Sequence, residues 1–314
     1  MSTPTSDTYE LHQGVGSIDE VRESLRLRGY ITDRDLATSL FLSLRLGKPL
    51  LLEGEAGVGK TEVAKTMAAL LQTDLIRLQC YEGLDVNHAV YEWNYAKQML
   101  EIRLLEAEGL NRDYALKEIF GPEFLIKRPL LQAVEYTSER EGARPVLLID
   151  EIDRADEEFE AFLLEVLSDF QITIPELGTI KARRKPAVVL TSNRTRELHD
   201  ALKRRALFHW IGHPSLEREV EIVRLRVPGI PERLAEEAAA FVRGLRGLDL
   251  TKPPGVAETI DWAQALAALG REDIDAEVVE QTLGSVLKYR EDIEAIRDET
   301  LVGLIEEARA ASGR

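Results

Sequence analysis

GEAGVGKT, residues Gly54–Thr61, sets glycines, a lysine and a threonine in the spacing G-x-x-x-x-G-K-[ST]. Glycines let successive backbone N–H groups converge on anionic oxygens, and a helix opening behind the loop adds partial positive charge. The pattern predicts a cradle for the phosphates of a nucleotide. Gly54, Glu55, Ala56, Gly57, Val58, Gly59, Lys60, Thr61 and Glu62 are its candidate binding residues. Lys60 would reach the β- and γ-phosphates, and the Thr61 hydroxyl would sit on Mg²⁺.

Binding alone does not imply hydrolysis. VLLIDEIDRAD, from Val146, ends an apolar run on Asp150 and Glu151. One carboxylate at such a strand end can hold Mg²⁺, and the next can orient or deprotonate an attacking water. Asn193 ends the run AVVLTSN, where a carboxamide can hold that water near the γ-phosphate. Arg204 and Arg205 stand in DALKRRALFHWIGHP, and a guanidinium there could stabilise transition-state charge on a neighbouring subunit's nucleotide. The candidate catalytic residues are therefore Lys60, Glu151, Asn193 and either Arg204 or Arg205, with Thr61 and Asp150 for the metal.

The elements that must carry these residues are legible in outline. Ser17–Leu46 reads as two helices interrupted at Gly29. Pro49–Leu52 is a buried strand, the glycine loop follows it, and Thr61–Leu71 continues as a helix. DLIRLQC, PVLLID and AVVLTSN read as further strands, Glu157–Phe170 as a helix, and FQITIPELGTIKA as a hairpin. The stretch from Tyr81 to Lys127 is less regular, with a helix near Tyr95–Glu108; its Tyr81, Tyr91, Trp93 and Tyr95 are expected to pack rather than to line a pore. Beyond Pro214 the pattern is helical: Ser215–Arg226, Pro231–Gly244, Thr259–Leu269, Asp275–Tyr289 and Arg297–Ala311. Alternating strands and helices predict a parallel α/β core, residues 1–213, followed by a helical domain, residues 214–314.

Composition narrows the class. The chain has 314 residues, 44% of them hydrophobic, enough for a large domain and a smaller one. Its formal charge of -16 repels nucleic-acid phosphates, and the short basic clusters at Lys181–Lys185 and Lys203–Arg205 read as solvated loops. One cysteine, Cys80, allows no internal disulfide. The start lacks the apolar region of a signal peptide, and no run approaches the roughly 20 apolar residues of a membrane span. A soluble cytoplasmic protein is expected. The five histidines show no ligand spacing with Cys80, so no metal site built by the chain itself is expected.

Together these residues resemble an AAA+ ATPase. The likeness assigns Walker A to Gly54–Thr61, Walker B to Val146–Glu151, sensor 1 to Asn193 and the arginine finger to Arg204 or Arg205. It implies a P-loop AAA+ fold, a parallel sheet flanked by helices, with a C-terminal all-helical lid. LLIDEIDRADEEFEAFLLEVLSDFQITIPELG is similar to the MoxR family. LLEGEAGVGKTEVAK, RLQCYEGLDVNHAVYEWNYAKQ and TSNRTRELHDALKRR resemble its CoxD branch. That resemblance implies ATP and Mg²⁺ as cofactors, a homo-oligomeric ring, commonly a hexamer, and a von Willebrand factor A (VWA) domain partner. It also implies chaperone work on a metalloenzyme client, such as the molybdenum–copper centre of a carbon monoxide dehydrogenase or a related hydroxylase. Where the family sets a sensor 2 arginine in the lid, the matching stretch here is ETIDWA, Glu258–Ala263, without one. Two alternatives stay open: a nucleic-acid-coupled NTPase of restriction type, and an ATP-binding scaffold activated by a partner.

Overall fold

The computed structural model describes residues 15–107, 119–138, 140 and 143–313. The polar start through residue 14 and residues 108–118 of the irregular stretch lie outside the described residues. The chain forms two compact units. Of the described residues, one unit comprises those through Val21, with those of Arg34–Glu53 and Ala64–His209; the other comprises Arg22–Asp33, Gly54–Val63 and those from Trp210 onward.

The first unit is built on a five-stranded sheet. Its strands are β1 (Leu50–Glu53), β2 (Leu75–Gln79), β5 (Val146–Asp150), β8 (Ala187–Ser192) and β9 (Leu207–Trp210), in the order β2-β5-β8-β1-β9. β2 with β5, β5 with β8, and β8 with β1 pair in parallel. LLLE, VLLID and AVVLTS are buried at every position, as strands covered on both faces must be. β2 lies at the edge and keeps Arg77 exposed. The α/β expectation holds.

Two small hairpins complete this unit. β6 (Gln171–Ile174) pairs with β7 (Gly178–Lys181), as FQITIPELGTIKA suggests. β3 (Tyr91–Trp93) pairs with β4 (Leu125–Lys127), a pairing with no local signal because its strands are far apart in sequence. The aromatics there divide. Trp93 is buried and meets Tyr91 and Phe120 edge-on at 6.0 and 5.2 Å, whereas Tyr81 and Tyr95 are exposed. The core gathers Leu51, Leu78, Leu147, Ile149, Val188 and Leu190 from the sheet, with Phe159, Leu163 and Leu167 from the helix Glu157–Asp169.

In the second unit the helices Glu232–Arg246, Val256–Ala268, Ala276–Val286 and Asp298–Ser312 enclose a separate core, and Val223 of the helix Leu216–Arg226 packs with Ala235 and Ala263 in a smaller cluster. Phe241 and Trp262 lie 5.1 Å apart at its centre, and Trp262 Nε1 donates to Thr282 Oγ1 at 2.8 Å. The helix expected from Asp275 to Tyr289 spans Ala276–Val286, stopping three residues early, and a further short helix, Arg290–Ala295, follows beyond it. Lys288 Nζ donates to the carbonyls of Gly284 and Ser285, satisfying acceptors at the first helix's end. The helix expected from Thr259 begins earlier, with Gly255 as N-cap and the Gly255 N–H donating to Glu258 at 2.9 Å. No described helix is long and apolar enough to cross a membrane.

Candidate nucleotide-phosphate site

The glycine loop occupies residues 54–59, between β1 and the helix Lys60–Leu71. Gly54, Gly57 and Gly59 sit at φ +157, +79 and +94, conformations that side chains rarely adopt. At Gly54 space is also closed: a Cβ would lie 2.2 Å from the Ile211 carbonyl oxygen. Lys60 is buried, its ammonium 2.7 Å from the Gly54 oxygen and 2.6 Å from that of Glu55. The cation is thus folded over the loop rather than extended into solvent. Thr61 and Glu62 are half-buried in the first helical turn, at the end of the helix that carries partial positive charge.

Two side-chain contacts brace this loop. Glu55 meets His213 at 3.1 Å, and Glu62 meets Arg226 at 3.1 Å. The Tyr30 ring lies over Gly59, its Cε2 3.7 Å from where a Cβ would stand. Burial, with Asp33 and Glu62 beside it, raises the Tyr30 phenol far above its ordinary value, and Arg218 opposes this only in part. Tyr30 is therefore a neutral hydrogen-bonding group at all ordinary pH.

In the first unit, Asp150 and Glu151 end β5. Asp150 is almost wholly buried; its Oδ1 accepts from Thr191 Oγ1 at 2.5 Å, and its Oδ2 accepts from Arg77 Nε and Nη2 at 2.9 and 2.6 Å. Glu151 leaves the strand in the left-handed region, φ 55, and its N–H donates to the same Thr191 hydroxyl at 2.9 Å. One hydroxyl on the adjacent strand thus ties down the side chain of Asp150 and the backbone of Glu151. The Glu151 carboxylate pairs with Arg154 at 2.8 Å.

Asn193 follows β8 and is set by Asp153. The buried Asp153 carboxylate accepts from the N–H of Asn193 at 3.2 Å and from Thr195 N and Oγ1 at 2.9 and 2.7 Å. Arg204 and Arg205 end the helix Asp200–Arg205, both exposed. Arg205 Nε donates to Ser168 Oγ at 3.2 Å, tying it to the helix Glu157–Asp169. Cys80 lies beside this acidic cluster, its N–H donating to the Asp150 carbonyl. Burial first, then Asp150, Asp153 and Glu151, pushes its thiol up to about 12.

The structure therefore brings Asp150, Glu151 and Asn193 to one end of neighbouring strands, and Lys60 onto the glycine loop. Sequence reasoning missed Arg77, Thr191 and Arg154, which hold the acids in place, and Asp153, which holds the Asn193 backbone. Thr191, Asp153 and Arg154 lie within three residues of a chemical motif and Arg77 lies on a strand without one, but nothing in spacing says which strand faces which.

Among solved structures, the RuvB Holliday junction branch migration motor of Thermotoga maritima is 20% identical, with TM-score 0.45, covering 85% of this chain and 71% of that one. A single-site mutant of the same motor gives TM-score 0.47 at 20% identity, covering 85% and 72%. A candidate ATPase from Cytophaga hutchinsonii gives 0.45 at 17% identity, covering 94% and 93%. No curated protein matches. The model of the AAA domain, dynein-related subfamily, matches residues 49–206, just over half of the chain and the whole span from β1 to Ala206. The chain belongs to that AAA family.

Proposed function

We propose that the chain is an ATP-hydrolysing AAA+ chaperone of MoxR type. In this reading, residues 1–213 carry the nucleotide chemistry and residues 214–314 act as a helical lid. Gly54–Glu62 hold the phosphates, with Lys60 on the β- and γ-oxygens. The donor set offered by Thr61 and Asp150, a hydroxyl and a carboxylate, is hard oxygen of the kind that suits Mg²⁺. The ion would supply positive charge against the phosphate oxygens. Glu151 orients or deprotonates the attacking water, Asn193 holds it, and Arg204 or Arg205 reaches a neighbouring subunit's nucleotide in a ring, commonly a hexamer.

The observation that carries the reading is the loop: three glycines at positive φ with a buried ammonium folded over them. Such a loop matches an anion in both shape and charge. The finer assignment rests on the likeness of Leu147–Gly178 to MoxR proteins and of the flanking segments to the CoxD branch. It points to a VWA-domain partner and to a metalloenzyme client related to molybdenum hydroxylases. A net charge of -16 favours a protein client over a nucleic-acid track.

Lys60→Ala is expected to abolish nucleotide binding, and Glu151→Gln to bind ATP while losing turnover. Undiminished turnover in Glu151→Gln would sink the hydrolytic assignment. The same variant, stalled on ATP, should retain client and partner in a pull-down. The contact between Glu151 and Arg154 also favours a second reading, a scaffold with a low basal rate that a partner raises by releasing that carboxylate. A rate unchanged by any VWA-domain protein that binds the chain would exclude it.

A further inference from the structure

The lid stretch that lacks a sensor 2 arginine meets the glycine loop backbone to backbone. The Ala257 N–H donates to the Gly57 oxygen at 3.2 Å. A Cβ on Gly255 would lie 2.8 Å from Gly57 Cα and 2.9 Å from the Ala56 oxygen. A Cβ on Gly57 would lie 2.8 Å from Glu258 Oε2 and 3.1 Å from Gly255 Cα. Only glycine on both sides permits this approach. At Gly255 the reason is space alone, because its φ of -84 and ψ of -175 suit any residue.

The seam is held from behind by a buried cluster. Arg246 donates to both carboxylate oxygens of Glu219, at 2.6 and 2.7 Å, and to Thr259 Oγ1 at 3.1 Å. Its Nε donates to the Pro254 carbonyl at 2.7 Å, one residue before Gly255. Thr259 Oγ1 donates in turn to Glu219 at 2.6 Å. The cluster joins three helices and fixes where the helix Val256–Ala268 begins. A planar, bidentate pair of this kind leaves that start little freedom.

We propose that Gly255 and the Ala257 N–H are positioning groups for nucleotide binding, which read and preset the phosphate loop in place of a long sensor arginine. The peptide plane gives the reason. In a trans peptide the C=O and the following N–H point in opposite directions. With the Gly57 oxygen held by Ala257, the Val58 N–H is turned away from the lid helix. One donor of the loop is thereby oriented before any phosphate arrives, and binding need not order it. Any phosphate that shifts the Gly57 peptide also moves the start of the lid helix.

This inference rests on nucleotide binding at Gly54–Glu62, and its test separates the two. The Gly255→Ala chain is titrated with ADP and with a non-hydrolysable ATP analogue, and steady-state turnover is measured alongside. Affinity for both nucleotides should fall about tenfold, in the ordinary range of coupling between sites. KM should rise with it while kcat stays within about twofold, the signature of lost uniform binding. A wild-type melting curve shows that the lid core is intact. Ala257→Pro provides a second variant: it removes the N–H at a first-turn position where no intrahelical partner is lost. If Gly255→Ala does not fold, that variant decides, with the same weakening expected. Unchanged or tighter binding in a folded variant, or a fall in kcat at unchanged affinity, overturns the inference. Failure of the nucleotide reading shows separately, as no binding by the unsubstituted chain, and takes this inference with it.

Discussion

Thr191 is where one side chain has the most to lose. It is buried in β8; its hydroxyl donates to Asp150 Oδ1 at 2.5 Å and accepts from the Glu151 N–H at 2.9 Å. Thr191→Val keeps the volume and removes both bonds. A hydrogen bond to an ionised group contributes about 1.5–3 kcal/mol, and a buried N–H left unpaired costs about 1–3 kcal/mol. A loss of about 3–4 kcal/mol is expected. Thr191→Ser keeps the hydroxyl and removes one buried methyl, a loss of about 1 kcal/mol. Cys80 supplies the assay: it is the chain's one cysteine, buried in the same unit, so thiol labelling across a urea series reports the opening of that unit. With the urea slope unchanged, the midpoint shift converts to free energy. Turnover should fall in the valine variant as well, since Glu151 at φ 55 loses the anchor that offsets a conformation costing about 1–2 kcal/mol. A valine variant within about 1 kcal/mol of wild type, or a serine variant equally damaged, would refute the bridging role.

Two further perturbations follow from buried polar groups. Arg246→Met leaves Glu219 buried without its bidentate partner and should destabilise by about 3–5 kcal/mol, read from thermal melting; Arg290→Ala, at an exposed pair, should leave the melting point where it is. The Cys80 thiol has a folded value of about 12 against an ordinary 9.0, so the folded state disfavours the thiolate. Its contribution to stability is full below pH 9 and is lost as pH climbs from 9 toward 12. Thiolate absorbance at pH values between 9 and 12 should therefore be largely absent from the folded chain and appear on denaturation; a native thiolate at pH 9 would contradict the burial.

Much of the site was legible because its chemistry is local. Gly54, Gly57 and Gly59 announce the loop, since only glycine reaches those φ values without strain. Leu50–Leu52, Val146–Ile149 and Ala187–Leu190 announce buried strands, since parallel strands covered on both faces read as unbroken apolar runs. The β3–β4 hairpin was not legible: Trp93 faces Leu125 across a gap that no short-range turn signal spans. The stop at Val286 was equally hidden, because helical pattern runs on to Tyr289 and the capping lysine is ordinary in sequence.

By itself the sequence determined the glycine loop, the paired acids and the kind of sheet that carries them, because backbone conformation, charge and apolar runs are properties of neighbouring residues. The tertiary structure alone decided that β8 lies between β5 and β1, and so that Thr191 holds Asp150 and Glu151. It also decided that Gly255 meets Gly57, nearly two hundred positions away. Strand order and close backbone approach arise from how separate segments bury their surfaces together, and no spacing within one segment encodes them.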